Sequence, residues 1–295
     1  MSSTETDINT SNKQMANKKV SAVRYNAGQP LQTFEILAGE EALQIKINSN
    51  PYTITMRTPG HDSMLAAGLL LTERVIKDQE DIIGITEIPA SAGDHTVIVD
   101  VQVKEEALVG KNLFNRSIAS SASCGVCGKI ELCDLLSPEQ PLLNSGKLDI
   151  ELIPELLQQM QAEQATFVKT GGSHAAGVFS IDGELLSVKE DIGRHNAVDK
   201  AIGDLLLRGS LENADILFIS GRVSYEIAAK CAEANIPFLL AVSAPSSLAV
   251  DFCSRNGITL IGFCRENRAT VYANERNILQ HASTAPIPSV TEIVL

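Results

Sequence analysis

The fold is decided by residues 215–263, which read DILFISGRVSYEIAAKCAEANIPFLLAVSAPSSLAVDFCSRNGITLIGF. This stretch contains three short apolar runs, separated by two segments whose apolar residues recur at helical spacing. The runs predict strands over 215–220, 237–243 and 258–263, and the segments predict helices over 223–235 and 246–256. Gly257 follows the second helix, where a glycine commonly ends one. The order predicts parallel strands joined by right-handed crossovers.

The rest of the chain adds short strands and a few helices. Asp182-Gly183 lies between two apolar runs and predicts a hairpin over 177–191. Helices are expected over 64–75, 154–164 and 196–207, and strands over 21–25, 33–37, 43–47, 52–56, 81–88, 96–103 and 269–273. These patterns together indicate an α/β fold with an α+β N-terminal part.

Four regions follow from this pattern. We expect a disordered tail over 1–17, an α+β domain over 18–115, a Cys-x-x-Cys loop with a connecting helix over 116–165, and an α/β domain over 166–295. The first residues are polar and carry no apolar leader segment, which favours a cytoplasmic protein. Thiols stay reduced in that compartment.

Composition excludes several classes of protein. The chain has 295 residues, and 24 Lys and Arg against 36 Asp and Glu give a net charge of −12. An acidic chain lacks the overall field that collects nucleic acid, although a local cationic pocket is compatible with it. No apolar run approaches the ~20 residues that a membrane-spanning helix needs. We therefore expect neither a nucleic-acid partner nor a membrane partner.

Three loops follow the strands of the deciding stretch, and each carries polar or basic residues. In an open parallel sheet, ligands bind outside the carboxyl ends of the strands. Arg222, Arg265 and Arg268 carry forked donors that suit phosphate. The loops therefore indicate a site for an anionic ligand. The alternative is that these arginines pair with carboxylates on a solvated surface.

A second marked stretch, residues 189–199, places Asp191, Arg194 and His195 around a strand-to-helix turn. His195 could serve as an acid–base group near neutral pH, or it could brace the turn. His174 follows a pair of glycines and allows the same two interpretations. The sequence leaves the roles of these four residues open.

Cys124 and Cys127 form the strongest chemical motif, a Cys-x-x-Cys pair in which each cysteine is followed by a glycine, Gly125 or Gly128. Three interpretations compete. A zinc site would need two more ligands, for which Cys133, His174 and His195 are available. A dithiol redox pair is the second interpretation. The third is sulfur transfer, in which a mobile thiolate receives a sulfur as a persulfide and passes it on. Spacing alone does not separate them.

A resemblance to a known family separates them. Five motifs, spread over about residues 20–275, resemble the formate dehydrogenase accessory protein family, FdhD: Thr58-Pro59-Gly60, Ser123-Cys124-Gly125-Val126-Cys127-Gly128-Lys129, Thr170-Gly171-Gly172-Ser173-His174, Glu190-Asp191-Ile192-Gly193-Arg194-His195-Asn196-Ala197-Val198-Asp199-Lys200 and Ser220-Gly221-Arg222. The resemblance implies a cytoplasmic sulfur carrier, active as a sulfurtransferase. Such a carrier takes sulfur from a cysteine desulfurase and delivers it to bis-molybdopterin guanine dinucleotide for formate dehydrogenase. It also implies a homodimer and a cytidine-deaminase-like, three-layer α/β second domain.

The same resemblance implies roles for individual residues. Cys124 would carry the persulfide, with Cys127 as its partner. The cofactor-binding segment would be Phe263, Cys264, Arg265, Glu266, Asn267 and Arg268. Many members have glycine where this chain has Glu266 or Asn267, so the backbone approach to the cofactor would differ. No resident metal is expected, and the zinc deaminase signature is missing, so the deaminase-like fold implies no deamination. The rival interpretation is a cofactor-binding chaperone whose Cys-x-x-Cys pair is structural or binds zinc.

Overall fold

A computed structural model describes residues 16–89, 96–108, 146–265 and 268–279. The strands are β1 Asn17–Asn26, β2 Gln29–Ala38, β3 Glu41–Ile47, β4 Asn50–Arg57, β5 Ile82–Ile88, β6 Val97–Val103, β7 His174–Phe179, β8 Leu185–Asp191, β9 Ile216–Ile219, β10 Phe238–Ala241, β11 Thr259–Arg265 and β12 Arg268–Ala273. The helices are α1 Asp62–Thr72, α2 Glu105–Leu108, α3 Ile153–Ala162, α4 Ala165–Thr170, α5 Arg194–Leu207, α6 Tyr225–Glu233 and α7 Ser247–Asn256. No helix in these ranges is long and apolar enough to cross a membrane.

The deciding stretch forms the centre of a six-stranded sheet with the order β12-β11-β10-β9-β7-β8. Strands β9, β10 and β11 are parallel, as their spacing predicts, and the outer strands are antiparallel to their neighbours. Gly257 ends α7 with a φ of +76°, a left-handed conformation that favours glycine. The hairpin at Asp182-Gly183 joins β7 to β8. The expected α/β class and the parallel core are therefore confirmed.

Both faces of this sheet are buried, which explains why its central strands are continuously apolar. Ile216, Phe218 and Phe238 point to one face and pack with Leu156 and Met160 of α3. The alternate residues, among them Leu217, Ile219 and Leu239, pack on the other face with α1, α5, α6 and α7. The arrangement has three layers. Helix α3, expected as part of the connection between domains, packs directly on this sheet.

A four-stranded sheet with the order β4-β3-β6-β5 lies on the far side of α1. Helix α1 crosses α5 at two glycines. A Cβ added to Gly68 would lie 1.9 Å from the Asp199 carbonyl oxygen, and one added to Gly203 would lie 1.9 Å from the Met64 carbonyl oxygen. Only glycine permits the two backbones to approach this closely. The crossing holds α1, which follows β4 of the four-stranded sheet, against α5, which follows the turn at Asp191.

Strands β1 and β2 form a separate two-stranded sheet, which we call the ribbon. The strands extend those expected over 21–25 and 33–37, and β1 begins at Asn17, the last residue of the expected tail. The pairing of Ser21 with Phe34 and of Lys19 with Ile36 places these residues on one face. That face also carries Val23 and Tyr25 and leaves four large apolar side chains exposed. Residues 1–15 lie outside the described residues.

Candidate functional site

The carboxyl ends of the three parallel strands meet at one edge of the six-stranded sheet. The loops that leave β9 and β10 are bonded to each other, since the Val223 amide donates to the Ala244 carbonyl oxygen at 3.2 Å and the Ser246 amide donates to the Val223 carbonyl oxygen at 2.9 Å. The Phe263 amide of β11 donates to the Ser243 carbonyl oxygen at 3.2 Å. The loops that the sequence indicates as a ligand site therefore form one continuous edge, which we call the strand-end edge.

Three of the sequence motifs converge where β9 reaches this edge. Ser220 accepts a hydrogen bond from the Ala175 amide at 2.9 Å, which joins the loop after β9 to the start of β7. The position that a Cβ would occupy on Gly221 is 3.5 Å from both Arg194 Cδ and His174 Nδ1. His174, Arg194 and Gly221 therefore lie together, although the sequence separates them by up to 47 residues.

Arg194 is half-buried at the first position of α5. Its Nε is buried and has no hydrogen-bond partner among the described residues. A buried donor without a partner is uncommon, because leaving it unsatisfied costs about 1–3 kcal/mol. Arg222, the arginine that the sequence analysis emphasised on this loop, is instead exposed.

His195 lies beside Arg194 and is mostly buried. Burial and, second, the positive charge of Arg194 lower the pKa of His195 to about 4, so the ring is neutral near pH 7. His174 has its pKa lowered by the same two causes in the same order. The Ser224 hydroxyl lies 3.5 Å from His195 Nε2, and it also donates a hydrogen bond to Glu226. Ser224 and Glu226 belong to none of the sequence motifs, so no signal in the sequence indicated them.

Asp191 has a structural role rather than a place at the surface of the site. The side chain is fully buried and forms an ion pair of 2.7 Å with Lys200, which is also fully buried. It accepts hydrogen bonds from the Gly193 amide at 2.8 Å, the Asn196 amide group at 3.1 Å and the Thr58 amide at 3.0 Å. These contacts fix the turn that carries Arg194 and His195.

The Thr58 contacts explain the Thr58-Pro59-Gly60 motif. Lys200 donates to the Thr58 carbonyl oxygen at 2.7 Å, and the Thr58 hydroxyl accepts from the Ile192 amide at 3.0 Å. Next to them, Arg57 forms a two-pronged, buried ion pair with Asp62, at 2.9 Å and 2.8 Å. The loop after β4 and the turn before α5 are therefore held together by one buried network, and the Arg57–Asp62 pair joins the end of β4 to the start of α1.

The segment that the family resemblance implies for the cofactor lies at the other end of the strand-end edge. Phe263 has a φ of +53°, which a residue with a large side chain rarely adopts. The Arg268 guanidinium lies 4.9 Å from the centre of the Phe263 ring, and Arg265 is opposite Arg268 in the pairing of β11 and β12. Both arginines are exposed. Glu266 and Asn267, which separate β11 from β12 in the sequence, lie outside the described residues.

Cys264 of the same segment points away from this surface. Its thiol is fully buried in the apolar core under α3, and burial raises its pKa to about 12. Any contribution of Cys264 to a ligand would therefore come from its backbone. Cys231 and Cys253 are also fully buried, and burial raises the pKa of both thiols, that of Cys253 to about 12.

Cys124, Cys127 and Cys133 lie outside the described residues. Among the residues that are described, no group of three His, Cys, Asp or Glu side chains is placed to hold a metal ion. His174 and His195, which the zinc interpretation offered as ligands, therefore have no third ligand beside them in this part of the chain.

The fold is shared with a solved structure. A Desulfotalea psychrophila protein, provisionally assigned as a formate dehydrogenase accessory protein, superposes with a TM-score of 0.72 over 90% of this chain and 100% of its own, at 24% identity. At that identity the likeness concerns the fold alone.

Sequence relatives are closer. Proteins named sulfur carrier protein FdhD are 40% identical in Streptomyces avermitilis over 258 residues, 38% in Mycobacterium tuberculosis over 262 and 36% in Sulfolobus acidocaldarius over 262. The Streptomyces match covers 85% of this chain and 92% of that protein, the Mycobacterium match 86% and 95%, and the Sulfolobus match 88% and 98%. The model of the FdhD/NarQ family matches residues 38–279, which span every element of the six-stranded sheet and of the four-stranded sheet. The chain is therefore a member of the FdhD/NarQ family.

Proposed function

We propose that this protein is a sulfur carrier, a sulfurtransferase, that serves formate dehydrogenase. Relatives at about 40% identity over most of their length bear the name sulfur carrier protein. The observation that carries the proposal within the molecule is the state of its thiols. Cys231, Cys253 and Cys264 are buried and have raised pKa values, so none of them is suited to receive sulfur. Cys124, Cys127 and Cys133 remain, and among them the family resemblance assigns the role to the Cys124–Cys127 pair.

The proposed reaction has two steps. The Cys124 thiolate attacks the terminal sulfur of a persulfide on a cysteine desulfurase, which forms Cys124–S–SH and releases the desulfurase thiolate. In the second step the terminal sulfur leaves Cys124 as sulfide and becomes a ligand of the molybdenum in bis-molybdopterin guanine dinucleotide, the substrate. Attack by the Cys127 thiolate on the inner sulfur supplies the electron pair, and the two cysteines end as a disulfide.

The strand-end edge supplies the proposed site for that substrate. A guanine dinucleotide carries phosphates, and exposed guanidinium groups bind phosphate through paired hydrogen bonds. Arg265 and Arg268 present two such groups on neighbouring strands beside Phe263. These side chains fit the phosphates and the flat guanine ring of the substrate, and the loops of β9 and β10 continue the surface.

Persulfide mapping tests the proposal. The protein is incubated with a cysteine desulfurase and cysteine, then digested without reductant and analysed by mass spectrometry. We expect the mass of one added sulfur on the peptide that contains Cys124, and its loss in a Cys124→Ala variant. A Cys231→Ala variant, which removes an inert buried thiol, is the matched control and should keep the added sulfur.

Two outcomes would favour the chaperone interpretation instead. One is added sulfur only on Cys231 or Cys253. The other is stoichiometric zinc in the purified protein, lost on replacing Cys124, together with full formate dehydrogenase activity in cells that carry Cys124→Ala.

The cytoplasm is the proposed location, and a cysteine desulfurase and formate dehydrogenase are the proposed partners. A homodimer is proposed as well. The exposed apolar face of the ribbon supports it, because four large apolar side chains on that face would otherwise remain in water.

A further inference from the structure

Sulfur transfer by the proposed route oxidises the protein that performs it. Sulfur arrives on Cys124 as a sulfane atom and leaves as sulfide, which carries two more electrons. The Cys127 thiolate attacks the inner sulfur, the bond between the two persulfide sulfur atoms breaks, and HS⁻ departs with the electron pair of that bond. The product is a Cys124–Cys127 disulfide. Cys124 accepts no further sulfur until that disulfide is reduced.

The thiols among the described residues are unable to reduce it. Thiol–disulfide exchange needs a thiolate that reaches the disulfide. Cys231, Cys253 and Cys264 are fully buried, and burial raises the pKa of each thiol. These three cysteines therefore offer neither the thiolate nor the access that the exchange requires.

The packing of the six-stranded sheet keeps these thiols inside. Cys231 and Cys253 belong to the core on one face of the sheet, and Cys264 belongs to the core on the other face. The Cys231 thiol donates a hydrogen bond to the Ile236 carbonyl oxygen at 3.2 Å. Exposing any of the three would require the layers of the domain to separate, so none of them takes part in turnover.

Cys133 does not alter the electron count. If its thiolate attacked the Cys124–Cys127 disulfide, a new disulfide to Cys133 would form and one thiol would be released. Exchange among these three cysteines moves the disulfide but leaves one disulfide in the chain. The two electrons that restore the carrier must therefore come from another molecule.

We infer that a protein dithiol reductant acts on this protein after each delivery of sulfur, so that every turnover consumes one two-electron reduction. The inference rests on the proposed function and adds the class of reaction that must follow it. One thiolate of the reductant attacks the Cys124–Cys127 disulfide, and its second thiolate then breaks the mixed disulfide. The reductant ends as a disulfide, and its two hydrogens restore the thiols of Cys124 and Cys127.

A dithiol suits this step better than a monothiol such as glutathione. The second thiol of a dithiol is already attached to the mixed disulfide, so its attack is intramolecular and has a high effective concentration. A monothiol must wait for a second encounter, and until then a mixed disulfide occupies one cysteine of the pair.

The test follows one turnover of the full-length protein. Protein loaded by a cysteine desulfurase is freed of desulfurase and cysteine by gel filtration and is kept without reductant. We expect release of about one sulfide per chain. Trypsin should then yield peptide 117–129, which contains both Cys124 and Cys127, two hydrogens lighter than its dithiol form, whereas Cys133 lies in the separate peptide 130–147.

The reductant is then supplied as thioredoxin with its reductase and NADPH. We expect about one NADPH to be oxidised per chain, and the protein to become able to accept sulfur from the desulfurase again. In a Cys127→Ala variant, sulfide should appear only after thioredoxin is added, because the persulfide then lacks its internal attacking thiolate. Cys253→Ala, which removes a buried thiol, is the matched control and should behave as the unaltered protein does.

The proposed function and this inference fail in different ways. If Cys124 gains no sulfur from the desulfurase, the carrier function is wrong and the inference falls with it. Three results would overturn the inference alone: a persulfide that persists without forming a disulfide, a peptide 117–129 that keeps both thiols after its sulfur has left, or a second loading in the absence of reductant.

Discussion

At the scale of single residues, His195 makes stability depend on pH. Its pKa is about 4 in the folded chain, against 6.5 for an ordinary histidine. The unfolded chain therefore binds a proton that the folded chain refuses between these two values, and folding stability is full above about pH 6.5 and falls as pH decreases toward 4. His174 and His61, whose pKa values are also lowered, act in the same direction.

We expect the free energy of unfolding to decrease between pH 6.5 and pH 4, with His195 contributing up to about 3 kcal/mol. Urea titrations at several pH values measure it. Comparing the unaltered protein with a His195→Gln variant isolates this residue, because His174 and His61 are common to both. The variant should show a shallower decrease, and parallel curves would contradict the assignment.

The sequence and the structure diverge most at this scale. The sequence showed the motif that runs from Asp191 to Lys200, but not which of its residues are structural. Asp191 and Lys200 are fully buried and hold Thr58. Arg194 and His195 face the strand-end edge. The partner of Asp191 lies 133 residues away, at Thr58, so no local pattern could reveal it. The sequence indicated Arg222 for the ligand site, but Arg222 is exposed and Arg194 is the half-buried arginine, because sequence shows charge but not burial.

At the scale of elements, local patterns were sufficient for most helices and strands. The continuous apolar runs predicted the parallel strands, and Gly257 predicted where α7 ends. Boundaries moved where distant contacts act: α5 begins at Arg194 rather than at 196, since the Asp191 carboxylate and Thr58 fix the turn before it. The close crossing of α1 and α5 was not predicted, because Gly68 and Gly203 lie in two helices far apart in sequence.

Gly203→Ala should separate these two helices. The new Cβ would overlap backbone atoms of Met64 and Gly68, which cannot rotate away as a side chain can. We expect the free energy of unfolding to fall by about 3 kcal/mol or more, the upper end of overpacking costs. Urea unfolding at pH 7 measures the change.

Gly84→Ala serves as the control for that change. A Cβ on Gly84 meets nothing within 4 Å, and its φ is not positive. This variant should be unchanged or slightly more stable, because alanine restricts the unfolded chain. Equal stability of the two variants would show that the helices can move apart freely.

At the scale of the whole molecule, the ribbon is the part with the least support. Its face with Val23, Tyr25, Phe34 and Ile36 is exposed, and its one charge, Lys19, lies over the Phe34 ring at 4.4 Å. Two copies of this face can pack together without placing like charges against each other at the centre of the contact. We therefore expect the homodimer proposed above to form through the ribbon, with a second copy of this chain in a two-fold arrangement.

Sedimentation velocity tests this contact. We expect the unaltered protein to be a dimer and Phe34→Ser to shift it toward monomer, because the substitution removes the largest apolar contact of that face. Leu31→Ser is the matched control, since Leu31 is similarly exposed but lies on the opposite face of the ribbon. A monomeric unaltered protein, or an equal effect of both variants, would contradict a dimer built on this face.

The buried network between Thr58 and the Asp191 turn also bears on how the protein can be divided. A fragment that begins after residue 145 would keep the six-stranded sheet but lose Thr58 and α1. Asp191 and Lys200 would then be exposed to water on one side, and α5 would lack the helix that covers Gly203. Such a half should not persist as an autonomous unit. Efforts to express either sheet by itself, for crystallisation or for capturing partners, should therefore yield aggregated or proteolysed material rather than a working half.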